Sequence, residues 1–250
     1  MKPTIVTVPC FSGAPWELEQ LAPLRDWRLR TMRLPERLDS IEAYADFVDT
    51  QLAELNRYVL VGDSFGAVIA LAYATRQPRG LAALVLSGGF AANPVTNPIL
   101  KARIQAARFL PGPLYRHVTL RLHASSLASP HDADGEIPWS KSRSRSLFLE
   151  NTPFVSYVNR AAAALAADYR AELRRIQVPT LLITPSHDVL IGEDAARAML
   201  NGIPDATEVT LDDTGHMFRF SHPSRYAHAI RNFLVSQLDR VGDPPSTLAP

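Results

Sequence analysis

The chain has 250 residues, 46% hydrophobic and 20% charged, with a formal net charge of +1. That supplies a sizeable core, and the near-neutral balance gives no support to a nucleic-acid or membrane-surface role. The single cysteine, Cys10, excludes an intramolecular disulfide framework; with no signal peptide visible and no apolar run of transmembrane length, the sequence reads as cytoplasmic.

Thr4 to Val8 is rich in β-branched residues and reads as a buried strand ending in the loop Pro9-Cys10-Phe11-Ser12-Gly13. Trp16 to Leu24 reads as a short helix, with Leu18, Leu21 and Leu24 on one face, and Trp27 to Leu34 as a second strand. A helix capped by Asp39 or Ser40 runs to about Leu55, with Ile41, Tyr44, Val48, Leu52 and Leu55 at helical spacing. Val59-Leu60-Val61 then leads into Gly62-Asp63-Ser64-Phe65-Gly66 and the small, apolar run Ala67 to Ala74. That pattern predicts a buried strand, a sharp turn and a helix packed on the sheet. Leu81 to Leu86 is a fourth strand, closing at Ser87-Gly88-Gly89.

From about Ala91 to Ile176 the alternation gives way to a helical pattern broken by Pro at 94, 98, 111, 113, 130, 138 and 153, with Leu100, Ile104 and Ala107 on one helix face. It resumes with a strand at Val178–Thr184, a helix at Glu193–Leu200, a strand at Thr207–Leu211 and a helix at Pro223–Leu238. Six strands separated by helices imply an α/β fold, a mostly parallel sheet covered by helices on both faces. Residues 1–90 and 177–240 form the expected core domain. Residues 91–176 form a helical cap inserted after the strand ending near Leu86, over the carboxyl ends of the strands, where open α/β sheets bind ligands. The polar, Pro-rich residues 241–250 are expected to be a disordered tail.

A hydroxyl is a poor nucleophile near neutral pH and needs an imidazole to take its proton and a carboxylate to orient that imidazole. Ser64 occupies the turn between strand and helix, with Gly62 and Gly66 leaving room for a steep approach. Asp188 follows the strand Val178–Thr184 in Pro185-Ser186-His187-Asp188, and His216 follows the last strand in Asp212-Asp213-Thr214-Gly215-His216. Both loops lie at the sheet edge that carries Ser64. Of the seven histidines, His187 belongs to the acid loop, and His222 and His228 fall in or beside the last helix. Asp212 and Asp213 read as loop-shaping residues, and Asp194 as the opening of a helix. An inert serine in a Gly-rich turn is the bland alternative for Ser64.

On Gly62-Asp63-Ser64-Phe65-Gly66, His187-Asp188 and Thr214-Gly215-His216, in that order, the sequence resembles the α/β-hydrolase superfamily over nearly all of residues 3–238. The resemblance implies Ser64 as nucleophile, His216 as base, Asp188 as acid, and an oxyanion hole from the backbone N–H of Phe65 and, position for position, of Phe11. Two stretches depart from the family pattern. Pro9 and Cys10 replace its His-Gly, so glycine is absent from the tightest point of that loop, and Met32 to Ser40 is short and glycine-free where the family carries Asp-x-x-Gly-x-Gly-x-Ser. Ser12 is either an added hydroxyl donor or a turn residue. Cys10 is either a second nucleophile or, lacking a basic neighbour in sequence, a small buried hydrophobe.

A serine at this position excludes the relatives that use Asp as nucleophile. The reading is a serine carboxylesterase acting through an acyl-enzyme; thioesters and lactones use the same parts. Other readings of the fold are a C–C bond hydrolase, a hydroxynitrile-lyase-like enzyme and a low-turnover ligand receptor. No metal cluster or dinucleotide fingerprint is visible, so no metal and no cofactor are expected. The expected partner is a small ester with an apolar acyl part. Of the cap aromatics Phe109, Tyr115, Trp139, Phe148, Phe154 and Tyr157, some are expected in an acyl pocket and the rest in cap core. The expected substrate-binding set is Phe109, Tyr115, Trp139 and Phe154, with Ser12 and Met217. Between Asn97 and Phe148, eight Lys/Arg (Lys101, Arg103, Arg108, Arg116, Arg121, Lys141, Arg143 and Arg145) face three acids (Asp132, Asp134 and Glu136), a net +5 against −4 elsewhere. That block is either a solvated face or an attractor for an acidic substrate or acidic acyl-carrier protein.

Overall fold

The structure, a computed structural model, describes residues 2–95, 97–106, 109, 112–115 and 120–242, without the side chains of 100, 103, 113, 115 and 238–242. Ala107, Arg108, Pro111 and Arg116 lie outside the described residues. So do residues 243–250 of the expected tail, whereas 241 and 242 continue the last helix.

Six strands, β1 (Thr4–Val8), β2 (Leu29–Thr31), β3 (Tyr58–Asp63), β4 (Leu81–Ser87), β5 (Thr180–Pro185) and β6 (Ala206–Leu211), form one sheet in the order β2-β1-β3-β4-β5-β6. Every neighbouring pair is parallel. Side-chain alternation divides the core in two. Leu60, Leu84 and Leu86 pack on one face with Leu182, and Val59, Val61, Ala83 and Val85 on the other with Ile183. Strands buried on both faces read as continuous apolar runs, which is why they are visible in the sequence.

On the first face lie α1 (Ile41–Leu52) and α2 (Phe65–Ala74). Ser40, rather than Asp39, caps α1 by accepting the Ala43 N–H. All ten residues of α2 are buried, and Val68, Ile69 and Leu71 contribute about 1.5–3 kcal/mol each. Two expected elements come out differently. The strand predicted over Trp27–Leu34 pairs only at Leu29–Thr31 on the sheet edge, because Leu34 is followed by Pro35 and its N–H goes instead to the Gly13 carbonyl. The segment Leu18–Leu24 is a 3-10 helix, since Pro23 removes an N–H and Leu21 is non-helical.

Between β4 and β5 the chain is helical: α3 (Pro98–Ala106), α4 (Gly112–Tyr115), α5 (Arg121–Leu127), α6 (Pro130–Ala133), α7 (Lys141–Asn151) and α8 (Phe154–Ala166). An isolated antiparallel bridge, Ala92 to Asp168, ties its two ends. Its own core, around Ala124, Leu127, Phe148 and Tyr157, is completed by Cys10, Met217 and Phe220 from the sheet's loops. After β5 come α9 (Glu193–Gly202), α10 (Phe218–Ser221) and α11 (Pro223–Gly242); α11 and the 3-10 segment cover the second sheet face.

Candidate active site

Ser64 stands between β3 and α2 with φ 54° and ψ −116°. A residue with a Cβ rarely adopts this conformation, and the strain persists because strand and helix hold both sides of it. The flanking glycines serve close approach. A Cβ on Gly62 would run into the Gly66 carbonyl, and one on Gly66 into the carbonyls of Val8 and Pro9. The Phe65 N–H opens α2, where a helix leaves its first donors unpaired.

The loops after β5 and β6 bring Asp188 and His216 to the same edge. Ser64 Oγ is 3.0 Å from His216 Nε2, and His216 Nδ1 is 2.8 Å from Asp188 Oδ2. The other Asp188 oxygen accepts the N–H groups of Leu190 and Ile191 at 2.8 and 2.9 Å, which fixes the carboxylate. Burial disfavours the charged form of both partners, but their mutual attraction outweighs it. His216 is raised above the ordinary imidazole value and Asp188 is lowered below the ordinary carboxylate value. Gly215 is needed for packing: a Cβ there would overlap Ser129 Oγ and Asp132 Oδ2 at the start of α6. Asp132 is buried and also accepts from the Ser221 hydroxyl at 3.0 Å, so α6 rests on the His216 loop.

The first loop makes its turn without glycine at Cys10. The Gly13 N–H closes back on the Cys10 carbonyl at 2.8 Å, and Gly13 takes the positive φ of 75°. Arg160 of α8, 1% exposed, fills the space beside Gly13 and donates to the Phe11 and Ser12 carbonyls at 2.9 Å each. No acceptor among the described residues takes the N–H of Phe11 or Phe65. Beneath the serine, Asp63 pairs with buried Arg219 at 2.7 Å. That guanidinium lies against the rings of Trp16 and Phe220.

A cavity of about 320 Å³ opens over Ser64 and His216, at the small end of ligand-sized pockets. The segments at the carboxyl edge of the sheet contribute Cys10, Phe11, Phe90 and Met217, with Phe65 from α2 and Phe220 from α10; the insertion contributes His123, Leu127, Phe148, Tyr157 and Leu165. Of the expected substrate-binding residues Met217 lines the cavity, and four others do not. Ser12 is buried beneath the loop, where its Oγ accepts the Ala14 N–H. Trp139 is one layer back, stacked on Phe220 at 4.5 Å with its Nε1 donating to Ser144. Phe154 packs half-buried against the insertion's core, and Phe109 is 77% exposed. The Tyr115 side chain lies outside the described residues. Cys10 is buried, and desolvation, followed by Asp63, pushes its thiol up, which suits the hydrophobe reading.

His123, like Arg160, is a site residue that sequence reasoning missed. It lies in a short helix, bears no motif, and reaches the cavity only through the folding of the insertion. Among the described residues, the side chains grouped closely enough to share a metal ion are His131, His187 and Asp213, with ligand atoms within 4.8 Å of one another. The two imidazoles are stacked 3.9 Å apart at 3°, so their in-plane lone pairs lie in parallel planes and do not converge. In the net-positive block, Arg121, Lys141 and Arg143 are exposed, while the Arg103 side chain is not described. No helix among the described residues is long and apolar enough to cross a membrane.

A parallel sheet that delivers a strained serine, an acid and a histidine to one edge in this order defines the α/β hydrolases. The chain belongs to that family: the profile of the alpha/beta hydrolase family matches residues 5–229. Among curated relatives, 2-hydroxy-6-oxononadienedioate/2-hydroxy-6-oxononatrienedioate hydrolase 2 of Pseudomonas putida is 27% identical over 184 residues, covering 72% of this chain and 63% of that enzyme. Pyrrolizixenacetamide deacetylase of Xenorhabdus hominickii is 26% identical over 197 residues, covering 75% of this chain and 69% of its own. The solved structure of a hydrolase from Pseudomonas aeruginosa PA01 shares the fold, with TM-score 0.79 and 22% identity over 93% of this chain and 90% of that one.

Proposed function

We propose that this hydrolase cleaves carboxylic esters of small molecules through an acyl-enzyme on Ser64. The observation that carries the reading is the hydrogen-bonded line from Ser64 Oγ through His216 to Asp188 at the floor of an apolar cavity. In this reading Ser64 Oγ attacks the ester carbonyl as His216 Nε2 takes its proton. The oxyanion forms against the Phe65 and Phe11 N–H groups, each such donor contributing ~10²–10³ in turnover. His216 returns the proton to the leaving alcohol as the C–O bond breaks. Water, activated by the same imidazole, then releases the acid. Residues 91–176 act as a cap that bounds the acyl pocket, and the protein works in the cytoplasm.

The relative from Pseudomonas putida supports a second reading, hydrolysis of a C–C bond, since the substrate in its name is a dioate with no ester. A dioate carries two negative charges. The described lining residues of this cavity include no Lys or Arg, which favours a neutral substrate and hence the ester. The test is hydrolysis of p-nitrophenyl esters with acyl chains from short to long, by the parent protein and by Ser64→Ala. Turnover that vanishes in the variant is the expected result; no turnover on any ester, or equal turnover in both, overturns the reading.

A further inference from the structure

We propose that His123 is the polar anchor of the acyl pocket and that the preferred esters carry a neutral hydrogen-bond acceptor, a ketone or similar carbonyl oxygen, within the acyl part. This deepens the ester reading and rests on it.

The cavity wall is mostly hydrocarbon, and its other polar side chains are engaged. Asn93 donates to the Leu165 carbonyl and accepts from the Val95 N–H. Ser126 donates to the backbone carbonyl of His123, and Asp63 is held by Arg219. His123 uses one ring nitrogen: Nδ1 is 2.8 Å from the Tyr157 hydroxyl. Its Nε2 has no partner among the described residues, while the residue lines the cavity. Phe11, Phe148 and Tyr157 pack around the imidazole with ring centres 5.4, 5.9 and 5.6 Å away, which fixes its plane.

The chemistry of the free nitrogen follows from the charge state. Burial, then the neighbouring His216, push His123 down to about 4, so the ring is neutral at working pH. Burial pushes the Tyr157 phenol up, so it keeps its proton. The phenol is the stronger donor of the two, and the tautomer we infer has Tyr157 donating to Nδ1 and the imidazole proton on Nε2. His123 thus presents one neutral N–H to an apolar cavity. Its complement is an acceptor oxygen. A plain alkyl chain leaves the donor unpaired, and sites built on such a donor discriminate against ligands lacking the acceptor.

The experiment compares the p-nitrophenyl ester of hexanoic acid with analogues bearing a ketone at the fourth or the fifth carbon. The parent protein should favour one keto ester in kcat/KM by about 10- to 100-fold. His123→Phe, whose ring suits the same aromatic surround, should lose that preference, its kcat/KM on the keto ester falling to its own value on the plain ester. His123→Gln, which restores an N–H, should regain part of it. Equal kcat/KM on all three esters in the parent, or a keto preference that survives in His123→Phe, overturns the proposal. Binding of the same esters to Ser64→Ala, followed by nitrogen NMR of the histidine ring, reads the subsite without turnover. Tighter keto binding with a shift at His123 Nε2 supports the subsite even if no ester is cleaved. Equal binding without that shift overturns it independently of the ester reading.

Discussion

Arg160 donates from α8 to the backbone carbonyl of Phe11 at 2.9 Å, across 149 residues of sequence. The same guanidinium reaches the carbonyls of Ser12, Leu34 and Pro35 and the Tyr44 hydroxyl. It ties down the loop that carries the Phe11 N–H, which turns without glycine at Cys10. Arg160→Met should leave the Phe11 and Leu34 carbonyls unpaired at a cost of about 1–3 kcal/mol each, whereas the Ser12 and Pro35 carbonyls keep the Thr152 and Tyr44 hydroxyls. Turnover should fall by about 10- to 100-fold with KM little changed, because the lost interaction belongs to the transition state. Thermal unfolding and steady-state kinetics on one ester check both; an unchanged kcat would show that the loop holds itself.

In the proposed mechanism the pH dependence is set by His216. A protonated Nε2 cannot accept the Ser64 proton, so activity is lost as pH falls through the pKa of His216 and is full above it. That pKa lies above the ordinary imidazole value of 6.5: burial lowers it, but Asp188 raises it by more. A kcat/KM profile on a neutral ester should therefore rise to a plateau with a midpoint above 6.5. Asp188→Asn should lower the midpoint and cut the plateau by roughly 10⁴-fold, through loss of the oriented tautomer.

Asp63 acts on the same profile from below. It is the buried partner of Arg219 and a further source of the field that favours protonated His216. Asp63→Asn should leave a buried guanidinium uncompensated, at a cost of about 3–5 kcal/mol, and move the midpoint of the profile downward. Chemical denaturation and the pH profile, measured together, check the pair. A stable variant with an unmoved midpoint would contradict both effects.

Much of this site is legible in the chain because its strands are apolar or, in β6, β-branched runs that end at recognisable turns. Val59 to Gly66 and Thr207 to His216 each announce a strand and the turn at its carboxyl end, and parallel order then places Ser64, Asp188 and His216 on one edge. Arg160 and His123 are not legible. Each acts through contacts that the folding of the insertion creates, and neither bears a local signal. The aromatic count of the insertion is similarly mute about direction. Phe148 and Tyr157 face the cavity, whereas Trp139 packs behind Phe220, and nothing in their spacing separates them. The edge strand is overestimated because the apolar residues beyond Thr31 are buried by loop packing without a partner strand.

The seam between α6 and the His216 loop gives the last prediction. Gly215 has no room for a Cβ against Ser129 and Asp132, and that pair is locked by its reciprocal capping bonds. Gly215→Ala must therefore displace either α6 or the loop, and the loop carries His216 one residue on. A displacement of about 1 Å at a catalytic group costs on the order of 10²-fold in rate. Gly215→Ala should lose that much kcat while retaining the sheet and its cooperative unfolding, because the overlap is confined to the seam. Ser129→Gly in the same chain removes one of the two obstructions and should recover part of the rate. Full activity in Gly215→Ala alone would mean that α6 yields without moving His216; loss of activity with no recovery in the double variant would place the conflict on Asp132.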